Sequence, residues 1–220
     1  IRAQASQWSF QHVAFMSKVY GADIDTQAMV LTSEERIVVV FRGSDSPRDW
    51  LANFQATRET GPFIDSLAHE GFQDALYPSV IALTNAIDKF NNGQRQLWLT
   101  GHSLGGALAA LYAGMLIENG YTVHGLYTFA SPRPGDKSFC RRLNSEIQGP
   151  NYRVVNSGDL VPHVPPEPFY SHVGNRVILK QQRMLNSHDS WLEQRIEALK
   201  QFVDATTDCF DVMDNHRLSS

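Results

Sequence analysis

Six residues near the middle of the chain limit its fold more than any other feature: Gly101-His102-Ser103-Leu104-Gly105-Gly106. They fit the pattern G-x-S-x-G. The pattern is short and arises by chance, so its flanks decide its meaning. Before it stands the apolar run Leu97-Trp98-Leu99-Thr100, of strand type. After it, Leu104 to Ile117 is rich in small and apolar residues and reads as a buried helix. Strand, sharp turn and helix put the serine at the tip of the turn, with its Oγ facing a cleft. Such a turn holds strained backbone angles, at a cost of about 1–3 kcal/mol. It also presses strand and helix so close that flanking side chains would clash. Gly101, Gly105 and Gly106 remove the offending Cβ atoms. The helix N-terminus then offers unbonded N–H groups and a positive dipole end to a developing oxyanion. Ser103 is therefore a candidate nucleophile.

The rest of the chain alternates between short apolar runs and longer periodic ones. Ile37 to Phe41 is a β-branched run typical of a strand buried on both faces. Val123 to Phe129, Tyr152 to Asn156 and Arg176 to Leu179 read as further strands. Phe72, Leu76, Val80, Leu83, Ile87 and Phe90 fall at three- and four-residue spacing and form one apolar helix face. Pro78 is expected to kink or delay that helix. Trp191 to Val203 is amphipathic and reads as a last helix. Strands alternating with helices predict an α/β fold with a mostly parallel central sheet and helices on both faces. The Gly/Pro-rich stretches 131–135 and 162–168 are expected to be surface loops, since no shift of composition marks them as linkers. A chain of 220 residues supports one sizeable core and not two, so residues 1–220 are expected to form a single domain.

Composition excludes several classes. The net charge is -4 and the longest basic cluster is Arg141-Arg142, so no nucleic-acid partner is expected. No stretch reaches the roughly 18–20 apolar residues of a transmembrane helix. Ile1 to Phe10 lacks a basic segment followed by an apolar core, so no signal peptide is visible. A chain beginning at Ile fits a processed mature form and a fragment alike. Cys140 and Cys209 allow one internal disulfide at most. His163, His172 and His188 lack metal-ligand spacing, and neither a metal nor a cofactor is expected.

A second segment fits the chemistry of the first. Phe41-Arg42-Gly43-Ser44 ends the Val-rich strand at the usual ligand crevice of such a sheet. Ser44 can donate a backbone N–H and a hydroxyl to a carbonyl oxygen, and the Leu104 N–H adds a third donor. In the next stretch, Trp50, Leu51 and Phe54 share one helix face, with Arg48, Asp49 and Asn53 towards the other. Residues 45–58 are then either a lid that opens at a lipid surface or a helix fixed on the core.

Three segments together resemble a known family. They are Phe41-Arg42-Gly43-Ser44 with Asp49-Trp50, the run from Gly101 to Ala109, and the run from Asn156 to Pro166. His69-Glu70-Gly71-Phe72, Thr128 to Gly135 and Tyr170 to Gly174 add to the match. The chain is similar to the fungal-type (class 3) lipases of the α/β-hydrolase fold along nearly its whole length. It is shorter and poorer in cysteine than the typical secreted fungal members. The resemblance implies a triad in the order Ser, Asp, His: Ser103, Asp159 and His188. It also implies Ser44 and Leu104 as the oxyanion hole, residues 45–58 as the lid with Trp50, Leu51 and Phe54 on its substrate side, and a secreted protein.

The residues themselves bear on the last two triad members. Asp159 follows a strand, and Pro162, Pro165 and Pro166 stiffen its loop. Among the histidines, His102 is expected to point away from Ser103 and pack behind it. His163 is too near Asp159 in sequence to reach the serine with the aspartate behind it. His172 reads as structural, and His188 fits the base best, with His172 second. The expected activity is triacylglycerol lipase action on lipid esters, without cofactor. Rival readings on the same scaffold are a short-chain or feruloyl-type esterase and a phospholipase; the charges at Asp45, Arg48, Asp49, Arg58 and Glu59 speak against strong interfacial activation and leave the esterase open. A lipase-like binding protein without catalysis fits less well, because it has no need of a strained elbow.

Overall fold

The structure is a computed structural model that describes residues 2–20, 24–43, 56–156 and 159–179. Helix α1 (Arg2–Gln7) precedes strands β1 (His12–Tyr20), β2 (Ile24–Thr32) and β3 (Arg36–Phe41). The short pair β4 (Arg58–Thr60) and β5 (Leu67–His69) leads into α2 (Glu70–Phe90). Then come β6 (Gln96–His102), α3 (Leu104–Glu118), β7 (Val123–Phe129), α4 (Lys137–Glu146) and β8 (Asn151–Asn156). A 3-10 turn at Val161–His163 and β9 (Asn175–Leu179) follow.

The main sheet has seven strands in the order β1-β2-β3-β6-β7-β8-β9. The β1–β2 and β2–β3 pairs are antiparallel, and every later pair is parallel. The expected α/β fold with a mostly parallel sheet is therefore present, with an antiparallel N-terminal flank that the sequence reading did not assign. Register explains the burial. Ala28, Val30, Val39, Phe41, Leu97 and Leu99 point to one face and are buried there. Helices α2, α3 and α4 cover that face and pack side by side. On the opposite face α1 sets its Arg2 guanidinium 5.8 Å from the centre of the Phe15 ring.

Helix α3 lies deepest, with nearly every residue from Gly105 to Leu116 buried. Its all-round apolar sequence matches that position. Helix α2 is amphipathic, as expected, and buries Phe72, Leu76, Leu83 and Ile87. It begins at the His69 cap, whose Nδ1 accepts from the Phe72 N–H at 3.3 Å. Pro78 does not delay this helix, which starts eight residues earlier. Pro78 removes the N–H that would serve the Asp74 carbonyl. The next carbonyl along, Ala75, accepts the Thr26 hydroxyl of β2 at 2.6 Å. A side chain of the sheet thus supports the helix where proline weakens it.

The stretch 131–135 is not a surface loop. Ser131, Pro132, Arg133, Pro134 and Gly135 are all buried. Its glycine and prolines signal a turn, but the turn is tucked between the elbow and a neighbouring loop. The stretch 162–168 divides: Pro162, Val164 and Pro165 are buried, while Glu167 and Pro168 are exposed. Cys140 is buried, and its thiol donates to the Ser171 carbonyl at 3.2 Å. Cys209 and the expected helix from Trp191 to Val203 lie outside the described residues.

The closest approach in the fold is backbone on backbone. A Cβ on Gly101 would fall against the Gly105 carbonyl, far inside contact distance. One on Gly105 would meet the Phe41 carbonyl and stand 2.7 Å from the Arg42 carbonyl. Neither neighbour can swing aside as a side chain could. Gly101→Ala is therefore expected to destabilise the protein by about 3 kcal/mol or more. Urea unfolding checks this, and a midpoint equal to that of the unaltered protein would contradict the packing described.

Candidate active site

Ser103 sits between β6 and α3 with φ 53° and ψ -129°. This is the left-handed half of backbone space, where a non-glycine residue is strained. The surroundings hold it there. Its N–H donates to the Phe129 carbonyl of β7 at 2.9 Å, and its carbonyl accepts from Gly106 at 2.8 Å. The residue is 2% exposed, and its Oγ has no hydrogen-bond partner among the described residues. A buried hydroxyl without a partner is costly unless something else uses it. The strand, strained turn and helix expected around Ser103 are all present.

Leu104 is the first residue of α3, so helix geometry leaves its N–H without an intrahelical acceptor. Gly43 runs directly against the elbow. A Cβ there would come within 2.6 Å of the His102 carbonyl and 3.3 Å of the Ser103 Cβ. The sequence signal for this contact is the glycine of Phe41-Arg42-Gly43-Ser44, the one residue of the four without a Cβ. Ser44 itself, with Trp50, Leu51 and Phe54, lies outside the described residues. The described chain resumes near Thr57, whose carbonyl accepts the buried Tyr170 hydroxyl at 2.9 Å. A crevice of about 490 Å³ opens beside the elbow, lined by Val40, Arg42, Gly43, Thr100, His102 and Phe129 among others, with Ser103 and Leu104 outside its lining. His102 is exposed there rather than packed behind the serine, because the alternation of β6 turns it to the solvent side.

Asp159 follows β8, two strands from β6 at the same carboxyl edge of the sheet. It is half-buried. Its Oδ1 accepts from the Val161 N–H at 3.0 Å, and its own N–H donates to the Asn156 carbonyl at 3.3 Å. These bonds orient the carboxylate within its turn, as small Asx-type turns do.

The histidines separate clearly. His163 is exposed. The His172 Nε2 lies 2.8 Å from the Pro162 carbonyl, which can only accept, so Nε2 carries the proton. Its Nδ1 is buried without a partner among the described residues. Burial, then the nearby Arg153 and Arg133 charges, push its pKa down to about 2, and His163 adds slightly to this. The Pro162 contact only partly offsets them. A general base must accept a proton near the working pH. His172 is held neutral by its burial and already commits Nε2–H to the Pro162 carbonyl, which suits a structural part better than that of a base. His188 lies outside the described residues.

Comparison with known proteins agrees with this geometry. Residues 38–169 match the family model described as lipase (class 3). The lipase of Rhizomucor miehei is 38% identical over 161 residues, which cover 68% of this chain and 44% of that protein. A secreted mono- and diacylglycerol lipase of Fusarium solani is 34% identical over 163 residues, covering 71% of this chain and 48% of the relative. The chain thus spans about half the length of the curated relatives it matches. Among solved structures, a triacylglycerol lipase whose catalytic centre is a serine protease triad superimposes with a TM-score of 0.68. It is 30% identical, over 81% of this chain and 69% of that one.

The neutral His172 gives a sign for stability against pH. The unfolded imidazole titrates near 6.5 and the folded one far lower. Below about pH 6.5 the unfolded chain binds the extra proton, so the contribution of His172 is full above that pH and is lost as pH falls towards 2. The melting temperature is expected to fall more steeply from about pH 7 to about pH 4 in the unaltered protein than in His172→Gln. Parallel curves over that range would contradict a neutral buried imidazole.

Proposed function

Because the chain belongs to the class 3 lipase family, we propose that it is a serine carboxylic ester hydrolase acting on acylglycerols through an acyl-enzyme. The observation that carries this is Ser103: a strained, glycine-enclosed serine with a buried and unpartnered Oγ, at the sheet edge where Asp159 also lies. A residue held at such angles persists only where the fold over-determines it, and such sites cluster at centres of chemistry.

In the proposed reaction His188 takes the Ser103 proton as Oγ attacks the ester carbonyl carbon. The carbonyl oxygen becomes an oxyanion, received by the Leu104 N–H at the helix start and by the donors of Ser44. Loss of one such donor typically costs about 100- to 1000-fold in rate. The imidazolium then protonates the leaving alcohol, and the same histidine activates water to release the acid. Asp159 holds the imidazole tautomer and steadies its charged form. No step calls for a metal or an organic cofactor.

Acylglycerols are favoured over short soluble esters by the relatives, which are named lipase and mono- and diacylglycerol lipase. The segment 45–58, with Trp50, Leu51 and Phe54, serves in this reading as the lid over the crevice. The Fusarium relative is named as secreted, which supports action outside the cell. No helix among the described residues is long and apolar enough to cross a membrane.

Ser103→Ala is expected to abolish hydrolysis of p-nitrophenyl esters in a folded protein, and His188→Ala to be nearly as damaging. Asp159→Asn is expected to lower kcat by about 10⁴. Persisting turnover in Ser103→Ala would end the proposal. Substrate class is read from a chain-length series of glycerides and a phospholipid, assayed below and above the concentration at which an interface forms. A jump in rate at the glyceride interface supports a lipase. Smooth saturation confined to short chains would make it an esterase instead.

A further inference from the structure

The buried stretch 131–135 has no part in the proposed chemistry, yet it touches both halves of the site. It leaves β7, the strand between those that carry Ser103 and Asp159. Ala130 turns the chain at φ 50°, and its N–H donates to the Val154 carbonyl of β8 at 2.8 Å. Ser131 then lies against the elbow: a Cβ on Gly106 would stand 2.7 Å from the Ser131 Cβ. Two residues later Arg133 reaches the loop that begins at Asp159.

The contacts of that loop are unusually complete. The Arg133 N–H donates to the Val164 carbonyl at 2.8 Å. Its Nη1 donates to the Pro165 carbonyl at 2.7 Å and to the His163 carbonyl. Its Nη2 meets the Glu167 carboxylate at 2.9 Å. The His172 Nε2–H supplies the Pro162 carbonyl at 2.8 Å. Four consecutive carbonyls, 162 to 165, are thus held by two residues. The Arg133 side chain is 5% exposed, while its carboxylate partner is 59% exposed. A guanidinium so buried, with so exposed a counter-charge, is a poor device for stability alone, because its desolvation is only partly offset. Its planar fork does suit the placing of several acceptors at fixed angles, which a lysine cannot copy.

We propose that Arg133 and His172 are positioning residues that fix the Asp159 loop at a set distance from the Ser103 elbow, with Ser131 as the strut between them. The inference rests on the proposed role of Asp159. Its force comes from the steepness of rate with geometry: a displacement of about 1 Å at a reacting group can cost about 100-fold.

The test separates positioning from mere stability. Arg133→Lys, His172→Leu and His172→Gln are made in the protein, and active sites are counted by the end-point of labelling with a fluorophosphonate. Turnover of a soluble p-nitrophenyl ester is expressed per labelled site. Arg133→Lys and His172→Leu are expected to lower kcat by about 10- to 100-fold with KM within about twofold. His172→Gln, which keeps an N–H donor, is expected to recover most of the loss. In an Asp159→Asn background the effect of Arg133→Lys is expected to shrink below about threefold, because both act through one carboxylate. If Arg133→Lys does not fold, the two His172 variants decide the matter by the same readouts. Unaltered kcat per labelled site in the variants that fold, or full multiplicativity with Asp159→Asn, would overturn the proposal while leaving the triad intact. A fully active Asp159→Asn would instead remove the reading of the site on which it stands.

Discussion

The contact between the backbone of β6 and the start of α3 governs the rest of the molecule. Gly101 and Gly105 meet without side chains between them, and Gly105 presses in turn on the Phe41 and Arg42 carbonyls at the end of β3. That triple approach sets how α3 lies on the sheet and forces Ser103 into its strained angles at the start of the helix. Gly43 completes it by bringing the end of the β3 strand against the elbow. Strain at one residue is affordable because α3 is buried along nearly its whole length and anchors the turn with apolar contacts many residues away.

A second layer of order comes from polar groups rather than packing. The sheet brings Ser103 and Asp159 to one edge, but a sheet edge alone leaves their loops free to differ by an ångström or more. Bonds across the edge remove that freedom: Ser103 to Phe129, Ala130 to Val154, and Arg133 and His172 to the loop after Asp159. The low pKa of His172 belongs to the same arrangement. Burial first, and then the charges of Arg153 and Arg133, keep the imidazole neutral, so it can donate to a carbonyl through Nε2 without adding a third positive charge.

How far this was legible from sequence depends on the kind of signal. The strands at 36–41, 96–102 and 123–129 are built around the mainly apolar stretches 37–41, 97–100 and 123–129, and each was visible. Strands β1 and β2 were not, because their apolar cores are only four residues long, Val13–Met16 and Ala28–Leu31, between polar flanks. Helix α4 was missed for a similar reason: only Phe139, Cys140 and Leu143 are buried in its ten residues. The elbow was readable because its glycines answer a local steric demand. The burial of 131–135 was not, since glycine and proline announce a turn without saying where the turn lies. Arg133 escaped notice because a single arginine in a loop normally faces solvent, and its partners are carbonyls about thirty residues further on. Ser103, Leu104 and Asp159 fall among the described residues. Ser44, the lid positions and His188 do not, and they rest on the sequence pattern and the family resemblance.

The strand order carries one more consequence, in the timing of assembly. From β1 to β9 each new strand of the main sheet is laid beside the one before it. A chain emerging from the ribosome, N-terminus first, meets a ready template at every step and never needs to wedge a late strand between early ones. Every strand that holds the serine turn, from β3 to β7, therefore precedes β8 in the chain. The groups that constrain the strained residue are thus complete in sequence before the loop that carries the carboxylate begins.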